Sequence, residues 1–127
     1  MRAYQNILLI DDDQDDTEFF MTAMELVSDE VRCTALNNAK DALNRLTRRD
    51  LETDLIFLDL NMPVMSGQQF LTELKKDDKL KEIPVIVLST TSHKGTVEKT
   101  IEMGAQNFFT KPDNFNDLVS ILKSVID

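Results

Sequence analysis

The 127-residue chain has no Trp, one Cys, one His, three Gly and three Pro. A lone Cys33 excludes an intramolecular disulfide, and with no His close to it in sequence there is no zinc-ligand spacing. So few Gly and Pro leave no linker or low-complexity stretch, and nothing repeats at a fixed period. Long apolar runs are missing too. Ile7–Ile10, Leu55–Leu58 and Pro84–Leu88 fall far short of the roughly 20 residues a membrane-spanning helix needs. The N-terminus reaches an acidic cluster by Asp11, which is no secretory signal, so the expected compartment is the cytoplasm. Base is also scarce: 14 Lys+Arg face 23 Asp+Glu, a net charge of -9. Nucleic-acid binding draws most of its affinity from bases neutralising phosphates, so a nucleic-acid partner is excluded.

What is present suits one folded domain over residues 1–127, since 42% of the chain is hydrophobic and 29% charged. Short apolar runs alternate with segments of helical period. Residues 7–10, 31–36, 55–58, 85–88 and 107–110 read as strands. Helices are expected near Asp16–Val27, after Asn37 or Asn38, after the Pro63/Gly67 loop, over Thr96–Met103 with Gly104 as its stop, and from Phe115 onward. The last is the clearest: Phe115, Leu118, Val119, Leu122, Val125 and Ile126 form one stripe. Strands apolar throughout, rather than alternating, imply a parallel sheet covered on both faces. The expected fold is therefore α/β, a doubly wound five-stranded parallel sheet with five helices on both faces. Its site belongs beyond the carboxyl ends of the strands.

Those ends carry Asp11, Asp12 and Asp13 after the first strand, Asp59 after the third, Ser89, Thr90 and Thr91 after the fourth, and Thr110 and Lys111 after the fifth. Crowded carboxylates repel, so either one is protonated or a cation occupies the space. Oxygen-only ligands favour a hard ion, foremost Mg²⁺. A carboxylate nucleophile, a divalent cation, a lysine and a hydroxyl together form a phosphoryl-transfer set. Asp59 stands alone after its strand and is the nucleophile candidate. Asp11–Asp13 look like the cation's holders.

Residues 8–13 (LLIDDD), 56–67 (IFLDLNMPVMSG), 84–90 (PVIVLST) and 104–112 (GAQNFFTKP) resemble the receiver domain of two-component response regulators. The separations fit as well, with 30 residues from Asp59 to Ser89 and 22 from Ser89 to Lys111. The resemblance runs from about Gln5 to Ile126 and implies the flavodoxin-like strand order 2-1-3-4-5. It implies that Asp59 is the phospho-acceptor, that Asp12 ligates Mg²⁺ directly (Mn²⁺ being a substitute), and that Asp11 acts through a bound water. Asn61 would offer its backbone carbonyl to the metal. Ser89 would bond the phosphoryl oxygen, Lys111 would pair with another, and Phe108 would be the switch aromatic. It further implies a cis Lys111–Pro112 peptide, with Gly67 opening the third helix.

The partners so implied are a sensor histidine kinase or histidine phosphotransfer protein and an unidentified output protein. The output surface would be the fourth helix, fifth strand and fifth helix, which would also serve a homodimer. With no output domain in the chain, the readout would be protein–protein, and the protein would be no enzyme beyond its own phosphoryl transfer and dephosphorylation. Four positions depart from or vary within the pattern. Asp113 replaces an apolar residue, Phe108 lacks a Tyr hydroxyl, and Asn61 and Thr91 sit where phosphoryl lifetime is tuned.

Simpler readings stand beside these. Asp15 and Asp16 lead the first helix and suit its dipole; Asp13 is intermediate. A calcium loop starting at Asp11 fails because Asp16 replaces its Gly and Thr22 its closing Glu. Thr91 or Ser92 is a better cap for the fourth helix than Ser89. His93 reads as exposed and uninvolved. Of the alternating pair Phe108 and Phe109, Phe109 is the expected core residue. Met62 flanks the pocket. Two other functions compete: a pseudo-receiver that binds partners without phosphorylation, and an Asp-nucleophile phosphatase. The second would put its nucleophile on the first strand with another Asp two residues on, where Asn61 stands here.

Overall fold

The computed structural model describes residues 4–91 and 93–126. Five strands alternate with five helices: β1 (Asn6–Ile10), α1 (Gln14–Val27), β2 (Arg32–Leu36), α2 (Ala39–Thr47), β3 (Leu55–Leu58), α3 (Gly67–Lys76), β4 (Val85–Ser89), α4 (Lys94–Glu102), β5 (Asn107–Thr110) and α5 (Phe115–Ile126). All neighbouring strands pair in parallel, in the order β2-β1-β3-β4-β5. This is the expected flavodoxin-like order. β3 and β4 are buried at every residue and β1 at all but its first, whereas the edge strands β2 and β5 are half-exposed. The unbroken apolar runs of the central strands follow from having helices on both sides.

Alternation of side chains splits the core in two. Leu8, Ile10, Ile56, Leu58, Val85 and Val87 point to one face and pack on α2 and α3 through Ala42, Leu46, Phe70 and Leu74. Ile7, Leu9, Leu55, Phe57, Ile86 and Leu88 point to the other, against Phe20, Met24, Leu118, Leu122 and Ile126 of α1 and α5. Phe20 meets Phe57 edge-on at 5.0 Å. Phe108 and Phe109 divide in the same way, one toward each core, and both are half-buried. Phe109 is thus no more a core residue than Phe108, because β5 lies at the sheet edge.

The helix ends follow local chemistry. Asn38 caps α2 by accepting from the Asp41 N–H, and Ser66 with Gln69 forms a capping box on α3. Asn114 accepts from the Asp117 N–H at the start of α5. Gly104 follows α4 with φ +114°, a conformation that suits glycine. α4 begins earlier than its apolar spacing suggests. Its cap position is His93, exposed and without a side-chain cap bond, so Thr91 does not cap it, and Ser92 lies outside the described residues. No helix among the described residues is long and apolar enough to cross a membrane.

Candidate functional site

The chain leaves β1 at Asp11, where the Asp11 N–H donates to the Leu36 carbonyl at 3.1 Å and the Asp59 N–H to the Ile10 carbonyl at 2.9 Å. Sheet pairing therefore continues one residue past each strand and fixes the two carboxylates side by side. Asp11 and Asp59 are each only 4% exposed, although both are charged residues at chain turns. Asp12 is exposed, and one carboxylate oxygen from each of Asp11, Asp12 and Asp59 lies within 4.8 Å of the others. Asp13, grouped with them by sequence, instead caps α1: its Oδ1 accepts from the Asp16 N–H at 2.9 Å.

Gly67 secures the opposite wall. A Cβ there would lie 2.5 Å from the Asp59 carbonyl oxygen and 2.7 Å from the Leu60 Cα. Only glycine lets the start of α3 press against Asp59 and Leu60, and the Gly67 N–H donates to the Leu60 carbonyl at 2.9 Å. Asn61, two residues beyond Asp59, is exposed, and a backbone hydrogen bond from it works to lower the Asp59 pKa. Met62 is half-buried on the α2–α3 core.

From the other side, Ser89 ends β4 fully buried, and its Oγ accepts from the Thr91 N–H at 3.3 Å. The Lys111 N–H donates to the Ser89 carbonyl at 2.7 Å, which ties the β5 exit to the β4 exit. The Lys111 ammonium reaches Asp16 Oδ2 at 2.7 Å, Asp11 Oδ2 at 2.9 Å and Asp59 Oδ1 at 3.6 Å. Asp16 was expected only to complement the helix dipole. Its pairing with Lys111 joins residues 95 apart in sequence, and no local spacing signals it. The Lys111–Pro112 peptide is trans, as are all the described bonds, which corrects the cis expectation. An X-Pro bond still favours trans by about 0.5–1 kcal/mol, and Lys111 makes every tie above with the trans bond.

Electrostatics follow from burial. Desolvation pushes the Asp59 carboxyl up to about 6; Lys111 opposes this, while Asp11 and Asp12 add to it. Burial also raises Asp11, against a backbone hydrogen bond from Asp13 and the Lys111 ammonium. For Lys111, burial works to lower the pKa, but bonds to Asp16 and Asp11 and the Asp11 and Asp59 charges outweigh it and hold the ammonium charged. Two buried carboxylates with raised pKa values beside a third, exposed one make an oxygen-only donor set short of positive charge. That set fits a hard divalent cation.

A family model described as the response regulator receiver domain matches residues 7–123. The phosphate regulon transcriptional regulatory protein PhoB of Pseudomonas aeruginosa is 31% identical over 122 residues, 96% of this chain; the chain spans about half of that regulator, 52% of its length. The two-component response regulator ORR8 of Oryza sativa subsp. indica is 31% identical over 94% of this chain and 97% of its own length. Among solved structures, the Mn²⁺-bound form of response regulator Rcp1 superposes with a TM-score of 0.86 at 27% identity, covering 95% of this chain and 91% of that one. The phosphorylated cyanobacterial phytochrome response regulator RcpA gives 0.88 at 28%, covering 97% and 91%. The strand order, the carboxylates gathered at its carboxyl edge and a match along nearly the whole sequence share one origin: the chain belongs to the response regulator receiver domain family.

Proposed function

We propose that Asp59 accepts a phosphoryl group from a sensor histidine kinase or a histidine phosphotransfer protein. The observation that carries this reading is Asp59 itself, 4% exposed, with Asp11 and Asp12 close by and the Lys111 ammonium 3.6 Å away. A carboxylate oxygen forms the new O–P bond while the P–N bond to the donor imidazole breaks, its electron pair staying on the ring nitrogen. In this reading Lys111 would meet the transferred oxygens with its positive charge and Ser89 with its hydroxyl. Asp11, Asp12 and Asp59, with the Asn61 carbonyl, would hold Mg²⁺, or Mn²⁺ in its place. When bound, the cation supplies charge that offsets both the carboxylate repulsion and the phosphoryl oxygens. Rcp1 has been crystallised in a Mn²⁺-bound form and RcpA in a phosphorylated one, which supports the assignment.

The product replaces a carboxylate with a bulkier phosphoryl dianion, a net gain of about one negative charge at the exit of β3, next to the strand that the fully buried Ser89 ends, so the β4–α4 connection is the element that responds. Through Ser89 and Phe108 the change would reach the α4–β5–α5 surface, where an output protein or a second copy of the chain binds. We place this exchange in the cytoplasm. The chain modifies itself and turns over no separate substrate.

The test is intact-protein mass after incubation with Mg²⁺ and acetyl phosphate, with Asp59→Asn alongside. One phosphoryl group on the wild type, absent with EDTA and absent from Asp59→Asn, is the expected result. No adduct, under conditions that label another receiver, would make the chain a phosphorylation-independent interaction module.

A further inference from the structure

An ammonium has three N–H donors and no acceptor. In Lys111 two of them are engaged at hydrogen-bond distance, by Asp16 Oδ2 at 2.7 Å and Asp11 Oδ2 at 2.9 Å, while Asp59 Oδ1 stays at 3.6 Å. The last distance is too long for a hydrogen bond. The lysine thus makes its shortest contact not with the acceptor but with a carboxylate on α1, one absent from the Asp11–Asp12–Asp59 cation cluster. Asp16 is held for the purpose. Its N–H donates to Asp13 Oδ1 at 2.9 Å, which pins the first turn of α1. Its side chain is 42% exposed, yet the Lys111 side chain it grips is only 16% exposed. An ordinary surface ion pair has both ends in water; this one reaches inward from α1 to the residue that follows β5.

We infer that Asp16 is a positioning residue that draws the Lys111 ammonium toward α1, keeping it off Asp59 so that the acceptor oxygen stays open to the incoming phosphorus while one N–H remains aimed at the space beside it. The inference rests on Asp59 being the acceptor. Without the Asp16 carboxylate, Lys111 keeps Asp11 as one anchor and its freed donor turns to the nearest remaining anion. That anion is Asp59, less than 1 Å outside hydrogen-bond range. A closed Lys111–Asp59 pair ties up the nucleophilic oxygen and removes the aimed donor. Asp16→Asn leaves a neutral group of the same shape, and Asp16→Glu keeps the charge one methylene further out.

The experiment compares wild type, Asp16→Asn and Asp16→Glu in two ways. One is the rate of Asp59 phosphorylation by acetyl phosphate with Mg²⁺. The other is the ¹⁵N-ammonium resonance of Lys111 in the protein without divalent cation, assigned with Lys111→Arg. Asp16→Asn is expected to slow phosphorylation about tenfold, the loss of one charge-assisted hydrogen bond, and to shift the Lys111 resonance. Asp16→Glu should recover much of both, with the melting temperature of all three alike. An unmoved Lys111 resonance in Asp16→Asn overturns the inference, as does an unchanged rate. So does a rate loss that Asp16→Glu leaves in place and that tracks a fall in melting temperature, since that would be a fold defect. If the wild type itself takes no phosphoryl group, the acceptor reading fails, and the ammonium measurement still decides whether Asp16 sets the position of Lys111.

Discussion

Asp59 is a carboxylate that its surroundings resist ionising. Burial is the chief reason, with Asp11 and Asp12 adding repulsion that Lys111 only partly offsets, so its pKa moves from 3.8 up to about 6. The folded chain therefore binds this proton more tightly than the unfolded chain does. The linkage has a definite sign: this group lowers stability progressively as pH rises from about 4 through 6, and its full penalty is present above that. A shift of two units corresponds to about 3 kcal/mol, which solvent on the open Asp12 side reduces to about 1–2 kcal/mol. Asp59→Asn removes the charge and keeps the shape. In EDTA at pH 7.5 its unfolding free energy from urea titration should exceed that of the wild type by this amount, and the gain should fade toward pH 4. A gain of equal size at both pH values would place its origin in packing rather than charge. The same excess of negative charge is what a cation would relieve, so the fold without one tolerates this cluster at a cost.

At the scale of elements, α4 stands apart from the other helices. Its one buried residue is Thr100, its cap His93 makes no side-chain cap bond, and Ile101 is 41% exposed. α3 by contrast has a capping box and four buried residues. Few buried contacts and a start without a side-chain cap from His93 mark a segment that opens locally before the rest. In native-state hydrogen exchange α4 amides should therefore be less protected than those of α3 or α5. His93→Ser, which supplies a cap worth about 1 kcal/mol, should slow α4 exchange about fivefold while leaving α3 unchanged. Equal protection in α3 and α4 would remove the case for α4 as the movable element. The same contrast explains which elements are legible in sequence. β3 and β5 fall on the expected residues, and β1 and β4 within one residue of them, because short apolar runs bounded by polar residues locate strands well. α5 is plain because Leu118, Leu122 and Ile126 fall on one stripe. α4 begins two residues earlier than Val97 and Ile101 suggest, since a helix that buries so little leaves a weak periodic trace.

At the scale of the molecule, most of the site was legible for a topological reason. A doubly wound parallel sheet brings the carboxyl ends of its strands to one edge, so Asp11, Asp59, Ser89 and Lys111 group together from sequence alone. Asp16 could not, because its contact with Lys111 depends on where α1 starts relative to the turn after β5, a tertiary distance with no sequence period. That same edge concentrates the net charge of -9. Asp11, Asp12, Asp13, Asp15, Asp16 and Glu18 lie within eight positions, and Lys111 is the base paired with Asp11 and Asp16. Two kinds of relief then act on stability and can be separated. Salt shortens the screening length from about 30 Å at 0.01 M to about 3 Å at 1 M, which weakens repulsion across the whole surface. It should raise the melting temperature of the wild type and of Asp59→Asn alike, by about 3–8 °C for each kcal/mol gained. A divalent cation at fixed ionic strength acts only where carboxylates converge, so millimolar Mg²⁺ should add a further rise in the wild type that Asp59→Asn lacks. If Mg²⁺ stabilises both proteins equally, its effect is general screening, and the Asp11–Asp12–Asp59 cluster is not the place where it binds.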